Sequence, residues 1–390
     1  MAGTASPSAT DRVAELDLLR GIAALLMVFN HVGYLALSPQ GAQQGVSGAI
    51  VVLGSMAPVL FFFATGFGGG LAARPGAWRS LLDKVLLLVL ADQFLGWSVG
   101  RPLGLDFFSF IAISMVATRL VMATTRPVTA AATGIVAVLL LRYGLGPLWA
   151  SPLGDYSVLE WWLGATPHDA VSYPAAPWLA YPLLGAALGV LYRRHAGHIS
   201  VSASMSLAIV IVVCAVGSAL LASSGRSFHR WGSVAAAFFV LSVAILLAFA
   251  MLSAVLIRRA PRFAAALSLG GVASFAVVPL HYAMVYTGVL AALGAPGGIA
   301  FYLAVATPIA ALSFVLSNAF ERAAQSLSGW PHRARLVVAA VVVIAVTGVA
   351  AITLARAGAP AAARAAATVG QLAIGLLFAW RVGCFARTRA

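Results

Sequence analysis

Long runs of apolar residues, separated by short segments rich in Gly, Pro, Arg or Ser, fill almost the whole chain. A helix that crosses a bilayer needs about 20 mostly apolar residues, and twelve stretches come near or exceed that length. The fourth and the last are the weakest, so we expect about 10 to 12 spans. The predicted spans are Glu15–Leu37, Gly48–Leu71, Ser80–Val99, Leu103–Thr118, Val128–Leu148, Pro177–Tyr192, Ser204–Ala222, Gly232–Ile257, Ala266–Leu293, Gly297–Phe320, Leu336–Leu354 and Ala366–Trp380.

Composition agrees with this pattern. The chain is 62% hydrophobic and 9% charged, whereas soluble domains are about 25% charged. The sequence therefore predicts an all-α, polytopic transmembrane helical bundle. Residues 1–14 are predicted to be a disordered cytoplasmic tail, and residues 15–390 a single transmembrane domain. The stretch Ala357–Ala365 is predicted to be a loop, because Pro360 and Arg364 interrupt it.

Arg and Lys residues are concentrated in every second connection between the predicted spans. With the N-terminus inside, 16 of the 24 Arg and Lys residues lie in inner segments and five in outer connections. The positive-inside rule then puts both termini in the cytoplasm. It also accounts for the net charge of +14 without a nucleic-acid partner, and we find no nucleic-acid-binding motif. The excess of Arg over Lys suggests a bacterial inner-membrane protein.

Three ionisable residues share one stripe of the first span. At about 100° per residue, Arg20 and His31 lie within about 20° of each other, about 16 Å apart along the helix, and Asp17 lies within about 60° of both. Lipid does not tolerate such a stripe, so it must face protein or a wet cavity. Asp17 and Arg20 are either an interfacial ion pair or part of a site; His31 is either a packed interior histidine or a proton carrier. Asn30 is a candidate oxyanion donor or the source of an interhelical hydrogen bond.

Polar groups in later spans extend this set. Asp92 is a lone carboxylate in the third span, which either orients a histidine or makes structural hydrogen bonds. Ser274 and His281 are seven residues apart and therefore share a helix face. We expect His281 to meet His31 across a shared cavity, with a kink at Pro279 beside it. The spacing of His and Cys residues gives no metal site.

A Phe- and Gly-rich segment precedes a group of cations. Phe61–Phe63 and the glycines from Gly66 to Gly70 allow another backbone or a ligand to approach closely, but no Gly-Lys-Ser/Thr follows, so they are not a phosphate loop. The cations that follow are Arg74, Arg79 and Lys84, which topology alone would also explain.

These residues resemble a known group of enzymes. The segment LDLLRGIAALLMVFNH resembles the first-helix signature of the transmembrane acyltransferase superfamily, which contains acyltransferase-three-type and heparan-alpha-glucosaminide N-acetyltransferase-like enzymes. The Phe-rich second span and the late segment with Gly270, Ser274 and His281 resemble later parts of the same pattern. The segment around Trp178 and Gly185 favours the heparan-alpha-glucosaminide branch. The closely spaced Arg-x-x-Arg of the other branch is not found.

The resemblance implies a membrane-bound acyl-CoA-dependent acyltransferase. Acetyl-CoA is the implied donor, bound on the cytoplasmic side by the three cations, and a hydroxyl or amine of a carbohydrate or glycolipid is the implied acceptor. His31 is the implied catalytic histidine, as a general base or a transient acyl carrier, with Asp17, Arg20 and Asn30 beside it. The residues implied to line the substrate cavity are Asp92, Trp178, Ser274 and His281.

A secondary transporter or flippase of a small polar or glycolipid substrate is the competing interpretation. Many spans, intramembrane charges and helices interrupted by Gly or Pro suit that class as well. A transporter should also contain two related halves with paired broken helices, and the sequence shows no such pairing. Membrane lipid is an expected partner in either case, and a homodimer is compatible with both.

Overall fold

The computed structural model describes residues 13–38, 41, 45–72, 78–99, 106–145, 172–195, 201–223, 235–286, 297–327 and 333–387. Within these residues the chain is helical, and the one extended pairing is an isolated bridge between Leu37 and Gly297. The predicted all-α class is confirmed for this part of the chain. Residues 1–12 of the predicted tail, and Arg74, lie outside the described residues.

The helices follow one another through short connections. In chain order they are α1 (Ala14–Ala36), α2 (Gly45–Gly54), α3 (Ala57–Leu71), α4 (Trp78–Ser98), α5 (Phe107–Met122), α6 (Pro127–Leu139, continued as a π-helix over Leu140–Leu145), α7 (Ala175–Trp178), α8 (Ala180–Arg194), α9 (Val201–Ser223), α10 (Ala236–Arg259), α11 (Pro261–Val272), α12 (Ser274–Tyr286), α13 (Ile299–Leu327), α14 (Arg333–Arg356) and α15 (Pro360–Arg387).

Fewer spans are supported than the twelve predicted. Among the described residues, eight segments are long and apolar enough to cross a membrane, with α2 and α3 counted together, and α11 with α12 makes a ninth if the pair is one bent span. Helix α4 is not among them, since it carries four charged residues, namely Arg79, Asp83, Lys84 and Asp92. Helix α5 is apolar but has only 16 residues. The orientation of the termini stays a prediction.

Two helix crossings are close enough to require glycine. Where α1 crosses α11, a methyl group at Gly271 would overlap the backbone carbonyl of Asp17, and one at Gly21 would overlap that of Leu267. Where α3 crosses α8, a methyl group at Gly66 would overlap the carbonyl of Pro182. Small residues at such contacts let membrane helices approach closely. The first crossing fixes the polar stripe of α1 against the late helices.

Two sequence predictions about helix ends are wrong. The late span breaks at Ala273, where α11 and α12 meet at 83°, and Pro279 lies inside α12 without a break. Gly270 and Gly271 precede the bend and weaken the helix there. The predicted loop at Ala357–Ala365 is instead a turn followed by α15, which begins at Pro360. Proline is well tolerated in the first turn of a helix, and the alanines after it are strong helix formers.

Candidate active site

The polar stripe of α1 contributes side chains to two separate cavities. Near the start of the helix, Arg20 Nη1 lies 3.6 Å from Asp17 Oδ1, so these side chains form the ion pair that the sequence allowed. His31 lies eleven residues later, about 16 Å along the helix axis. Asp17 and Arg20 line one cavity and His31 lines another. The stripe therefore faces cavities inside the protein.

His31 and His281 are in direct contact, whereas the sequence predicted that they meet across a shared cavity; His31 lines a cavity and His281 does not. His31 Nδ1 lies 2.8 Å from His281 Nε2, and the two rings are nearly parallel, at 8°, with centroids 5.1 Å apart. His281 comes from α12 and is fully buried. Its other nitrogen, Nδ1, lies 2.9 Å from the backbone carbonyl oxygen of Val277.

These two contacts determine where the protons of a neutral pair lie. A carbonyl oxygen only accepts, so His281 Nδ1 carries a proton and donates it to Val277. His281 Nε2 is then bare and accepts from His31 Nδ1–H. The remaining nitrogen, His31 Nε2, keeps its lone pair. The second histidine thus orients the first and leaves one basic nitrogen for chemistry.

Aromatic rings surround the pair. Tyr282 meets His31 edge-on with centroids 4.9 Å apart, and Tyr286 stacks on Tyr282 at 5.0 Å. Arg364 covers the ring of Tyr286 at 5.4 Å and donates to the Tyr286 carbonyl oxygen at 2.6 Å. Tyr282 was not a candidate site residue from the sequence. Its position directly after His281 is the sequence feature that could have identified it.

His31 lines a cavity of about 230 Å³, which we call the histidine cavity. Its wall combines α1, the junction of α2 and α3, the start of α5, and the segment before α7. The polar side chains that line it are Asn30, His31, Ser55, Asp106, Ser172, Tyr173 and Tyr282. Of these, Asn30 and His31 were candidate site residues from the sequence. The fold brings the remaining polar side chains to the cavity wall.

Asn30 makes the interhelical hydrogen bond that the sequence allowed. Its side-chain nitrogen donates to the backbone oxygen of Val51 at 2.9 Å, which ties α1 to α2. Asn30 also lines the histidine cavity. One of its two N–H donors is thus used to hold the cavity wall.

A larger cavity of about 750 Å³ lies toward the start of α1, and we call it the basic cavity. Three cations line it, namely Arg20, Lys84 and Arg119, together with Asp17. Arg119 also covers the ring of Trp78 at 5.1 Å. In the described part of the chain, Arg119 Nε has no hydrogen-bond partner and is buried. The cavity therefore offers a concentration of positive charge with unused hydrogen-bonding capacity.

The predicted donor-binding cations are separated by the fold. Lys84 lines the basic cavity, whereas Arg79 is exposed and lines neither cavity. Arg119 is one of the cations that the positive-inside rule alone explains, and no motif in the residues around it signals a site. Gly68 and Gly69 line the basic cavity, so this glycine segment serves both helix packing and the cavity wall.

Asp92 makes structural hydrogen bonds, which is one of the two roles that the sequence left open for it. Its side chain is 1% exposed. Oδ2 accepts from the backbone N–H of Asp106 at 2.6 Å, and Oδ1 accepts from that of Phe108 at 3.2 Å. These N–H groups lie at the start of α5, where the helix itself supplies no carbonyl acceptor and an anion is favoured. Asp92 lines neither cavity and fixes the position of α5.

Trp178 and Ser274 occupy different places from the histidines. Trp178 is fully buried, and its ring centroid lies 5.0 Å from that of Tyr173. It lines neither cavity but supports a residue that does. Ser274 lines the basic cavity, just after the bend at Ala273, whereas His281 contacts His31 at the other cavity.

A family model described as heparan-alpha-glucosaminide N-acetyltransferase, catalytic, matches residues 12–223. The match covers more than half of the 390 residues. The chain belongs to the heparan-alpha-glucosaminide N-acetyltransferase catalytic family. Comparison with curated proteins and with solved structures finds no match.

Family membership places the protein among membrane-embedded acetyltransferases. The matched range includes α1 to α5 and therefore His31 and all three cations of the basic cavity. His281 and Arg364 lie beyond residue 223. Their contribution to this acetyltransferase rests on the contacts described above. No group of three or more His, Cys, Asp or Glu residues suited to a metal is present among the described residues.

Proposed function

We propose that the protein transfers an acetyl group from acetyl-CoA to a hydroxyl or amine of a carbohydrate or glycolipid, at a site within the bacterial inner membrane. The observation that carries this proposal is the histidine pair. One neutral imidazole, held by a second, lines a cavity inside the membrane-embedded bundle of an acetyltransferase family member. Ionisable groups inside a membrane-embedded bundle are costly and rare, and where they occur they usually mark a functional site.

The basic cavity suits the donor. Coenzyme A carries phosphates at one end and a thiol at the end of a long, largely neutral arm. Arg20, Lys84 and Arg119 give the charge-assisted hydrogen bonds that phosphates need. The arginine distribution of the chain predicts a cytoplasmic position for this end of α1, where acyl-CoA is supplied. Charge and topology therefore favour donor entry through the basic cavity.

The histidine cavity suits the acceptor. Sugar hydroxyls need both donors and acceptors, and Asp106, Ser55 and Tyr173 provide them. The Asp106 carboxylate would also accept a hydrogen bond from an amine of the acceptor. The cavity volume of about 230 Å³ is smaller than the roughly 300–1,000 Å³ of sites for drug-sized ligands. It therefore suits one sugar unit, not an extended chain.

The chemistry follows from the free nitrogen of His31. As general base, Nε2 takes the proton of the acceptor O–H or N–H while that oxygen or nitrogen attacks the thioester carbon. The carbon–sulfur bond then breaks, and the leaving thiolate takes the proton back from His31 to give free CoA. If Nε2 instead attacks the thioester carbon, the carbon–sulfur bond breaks, the CoA thiolate leaves and an acetyl-imidazolium forms. The acceptor then attacks that acetyl carbon, the carbon–nitrogen bond breaks, and the acceptor's proton goes to the thiolate to give free CoA. In both routes His281 accepts from Nδ1–H and stabilises positive charge on His31.

His31→Ala tests the proposal directly. Acetyl transfer from radiolabelled acetyl-CoA by purified protein should fall at least about 100-fold, as expected for loss of a general base or nucleophile. His195→Ala is the matched control, since His195 is exposed in the turn after α8 and lines neither cavity. Near-wild-type turnover in a folded His31→Ala protein would remove His31 from the reaction.

One observation favours a second candidate, a transporter. The 83° break between α11 and α12 beside the basic cavity resembles the discontinuous helices of secondary transporters. Transporters of that kind pair two such breaks, and the described residues contain one bent pair. Substrate uptake by vesicles in the absence of any acyl-CoA would favour transport; strict dependence of product on acetyl-CoA would favour the transferase.

A further inference from the structure

The two cavities meet at a pair of aromatic residues. Phe107 and Phe108, the first two residues of α5, line both the basic cavity and the histidine cavity. No other residue is shared by the two cavity walls in the described part of the chain. Phe107 is 9% exposed and Phe108 is 2% exposed. Their side chains therefore form the partition between the two spaces.

The partition is supported from both sides by other rings. Phe108 stacks on Phe275 with centroids 4.9 Å apart, and Phe275 in turn stacks on Phe378 at 5.6 Å. Phe107 meets Phe61 edge-on at 5.2 Å. These contacts are between apolar rings, and each such pair contributes about 0.5–1.5 kcal/mol beyond the area that it buries. Nothing polar holds either ring in place.

The backbone of the partition is held much more firmly. Asp92 accepts hydrogen bonds from the N–H groups of Asp106 and Phe108, so the first turn of α5 is fixed to α4. A change of side-chain rotamer would move either ring while its Cα atom stays in place. The structure thus puts two apolar side chains on a fixed backbone at the one place where the described walls of the two cavities touch.

The geometry of α1 shows why this place matters. A donor phosphate near Arg20 and an acyl group at His31 are separated by about 16 Å along the helix, the length of eleven residues. The long arm of a CoA ester can cover that distance only by passing the partition. The acyl group must then share about 230 Å³ with the acceptor. Little room remains for a longer chain.

We propose that Phe107 and Phe108 determine which acyl group this protein transfers. They form the passage by which the thioester reaches His31, they admit an acetyl group and hinder longer acyl groups, and they keep the contents of the two cavities apart when no donor is bound. This inference rests on the proposed acyltransferase function and adds to it the residues that select the acyl chain.

The first test measures acyl-chain preference. Acetyl-, butanoyl- and hexanoyl-CoA are compared as donors for the wild type, Phe107→Ala, Phe108→Ala and the double variant. The matched control is Phe94→Ala, because Phe94 is a fully buried ring that lines neither cavity. The ratio of hexanoyl to acetyl transfer should rise at least about tenfold in the partition variants, because each methylene in an apolar site changes selectivity by about 10-fold or more. It should stay at the wild-type value in Phe94→Ala.

Two results of that test would overturn the proposal. One is an unchanged chain-length ratio in all three partition variants, in protein that elutes and unfolds like the wild type. The other is a wild type that already transfers hexanoyl as fast as acetyl groups. If the wild type transfers no acyl group from any CoA ester, the proposed function itself fails.

A second test does not depend on activity. In a background with Cys214→Ser and Cys384→Ser, Ser55→Cys places a thiol on the wall of the histidine cavity. A small charged thiosulfonate reagent is applied to sealed vesicles from the side of the basic cavity. Labelling of the thiol should be slow with both rings in place and several-fold faster with Phe108→Ala, but not with Phe94→Ala. Equal labelling rates in all three proteins would show that no partition exists.

Discussion

The direction of one hydrogen bond, from His281 to the carbonyl of Val277, determines what His31 can do. It leaves His281 Nε2 bare, so His31 keeps its proton on Nδ1 and its lone pair on Nε2. The sequence could place the two histidines at a similar depth, since a helix has a known rise. It could not predict this orientation, which depends on a carbonyl of α12 and on the contact between two distant helices.

Replacing His281 should therefore impair turnover more than donor binding. In His281→Ala, kcat should fall about 100-fold, the contribution typical of positioned acid–base groups, while KM for acetyl-CoA stays unchanged because His281 lines neither cavity. His281→Gln keeps a hydrogen-bond acceptor and should retain more activity. Steady-state kinetics of the three proteins check this. Equal losses in both variants, or a rise in KM alone, would contradict a positioning role.

The cations of the basic cavity should act on donor affinity instead. Lys84→Gln and Arg119→Gln should each raise KM for acetyl-CoA about tenfold or more, since a hydrogen bond to a charged group contributes about 1.5–3 kcal/mol. The effect should be largest at low ionic strength. Arg126→Gln is the control, because Arg126 is exposed at the start of α6 and lines neither cavity. An unchanged KM in both cavity variants would leave these residues as topology markers.

The sequence prediction and the structure differ at Arg79. The resemblance implied that it binds the donor, whereas the fold leaves it exposed outside the basic cavity. Arg119 lines the basic cavity although it is 40 residues further along the chain than Arg79. Positive charge near a membrane surface has two causes, topology and ligand binding, and sequence spacing alone does not distinguish them.

Among the helices, α5 depends most on a single side chain. Asp92 satisfies two of the backbone N–H groups at its start. In Asp92→Asn one oxygen remains to accept, and the amide N–H₂ faces a donor, so the free energy of unfolding should fall by about 1–3 kcal/mol. Denaturation of the detergent-solubilised protein measures this. Glu321→Gln, a partly exposed carboxylate on α13, should change little; a comparable loss in both would show that α5 does not need the anion.

Helix positions were largely predictable, whereas helix breaks were not. Apolar runs are a local property, and each predicted span corresponds to a helix or bent helix pair. Both the Gly270–Gly271 pair and Pro279 weaken a helix, and tertiary packing determines which of them bends. The bend lies at Ala273, next to the glycines. Gly271 lies against the backbone of α1, and that contact has no signature within α11 itself. The start of α15 at Pro360 was missed because proline was taken only as a helix breaker.

At the scale of the whole molecule, the two cavities must open toward the correct sides of the membrane. The arginine distribution predicts that the turn after α5 lies inside and the turn before α15 outside. Thr124→Cys and Ala357→Cys test this, since both positions are exposed in turns. In intact cells, with the natural cysteines replaced, an impermeant maleimide should label residue 357 but not residue 124.

The two thiols should label equally once detergent removes the membrane, which shows that both are reactive. The result bears on mechanism, because acyl-CoA is held in the cytoplasm and the basic cavity lies at the same end of α1 as the first predicted inner segment. If residue 124 were labelled from outside, Arg20, Lys84 and Arg119 would face away from the donor supply. The cations would then need another anionic ligand, and the passage between the cavities would have to carry an acyl group in the opposite direction.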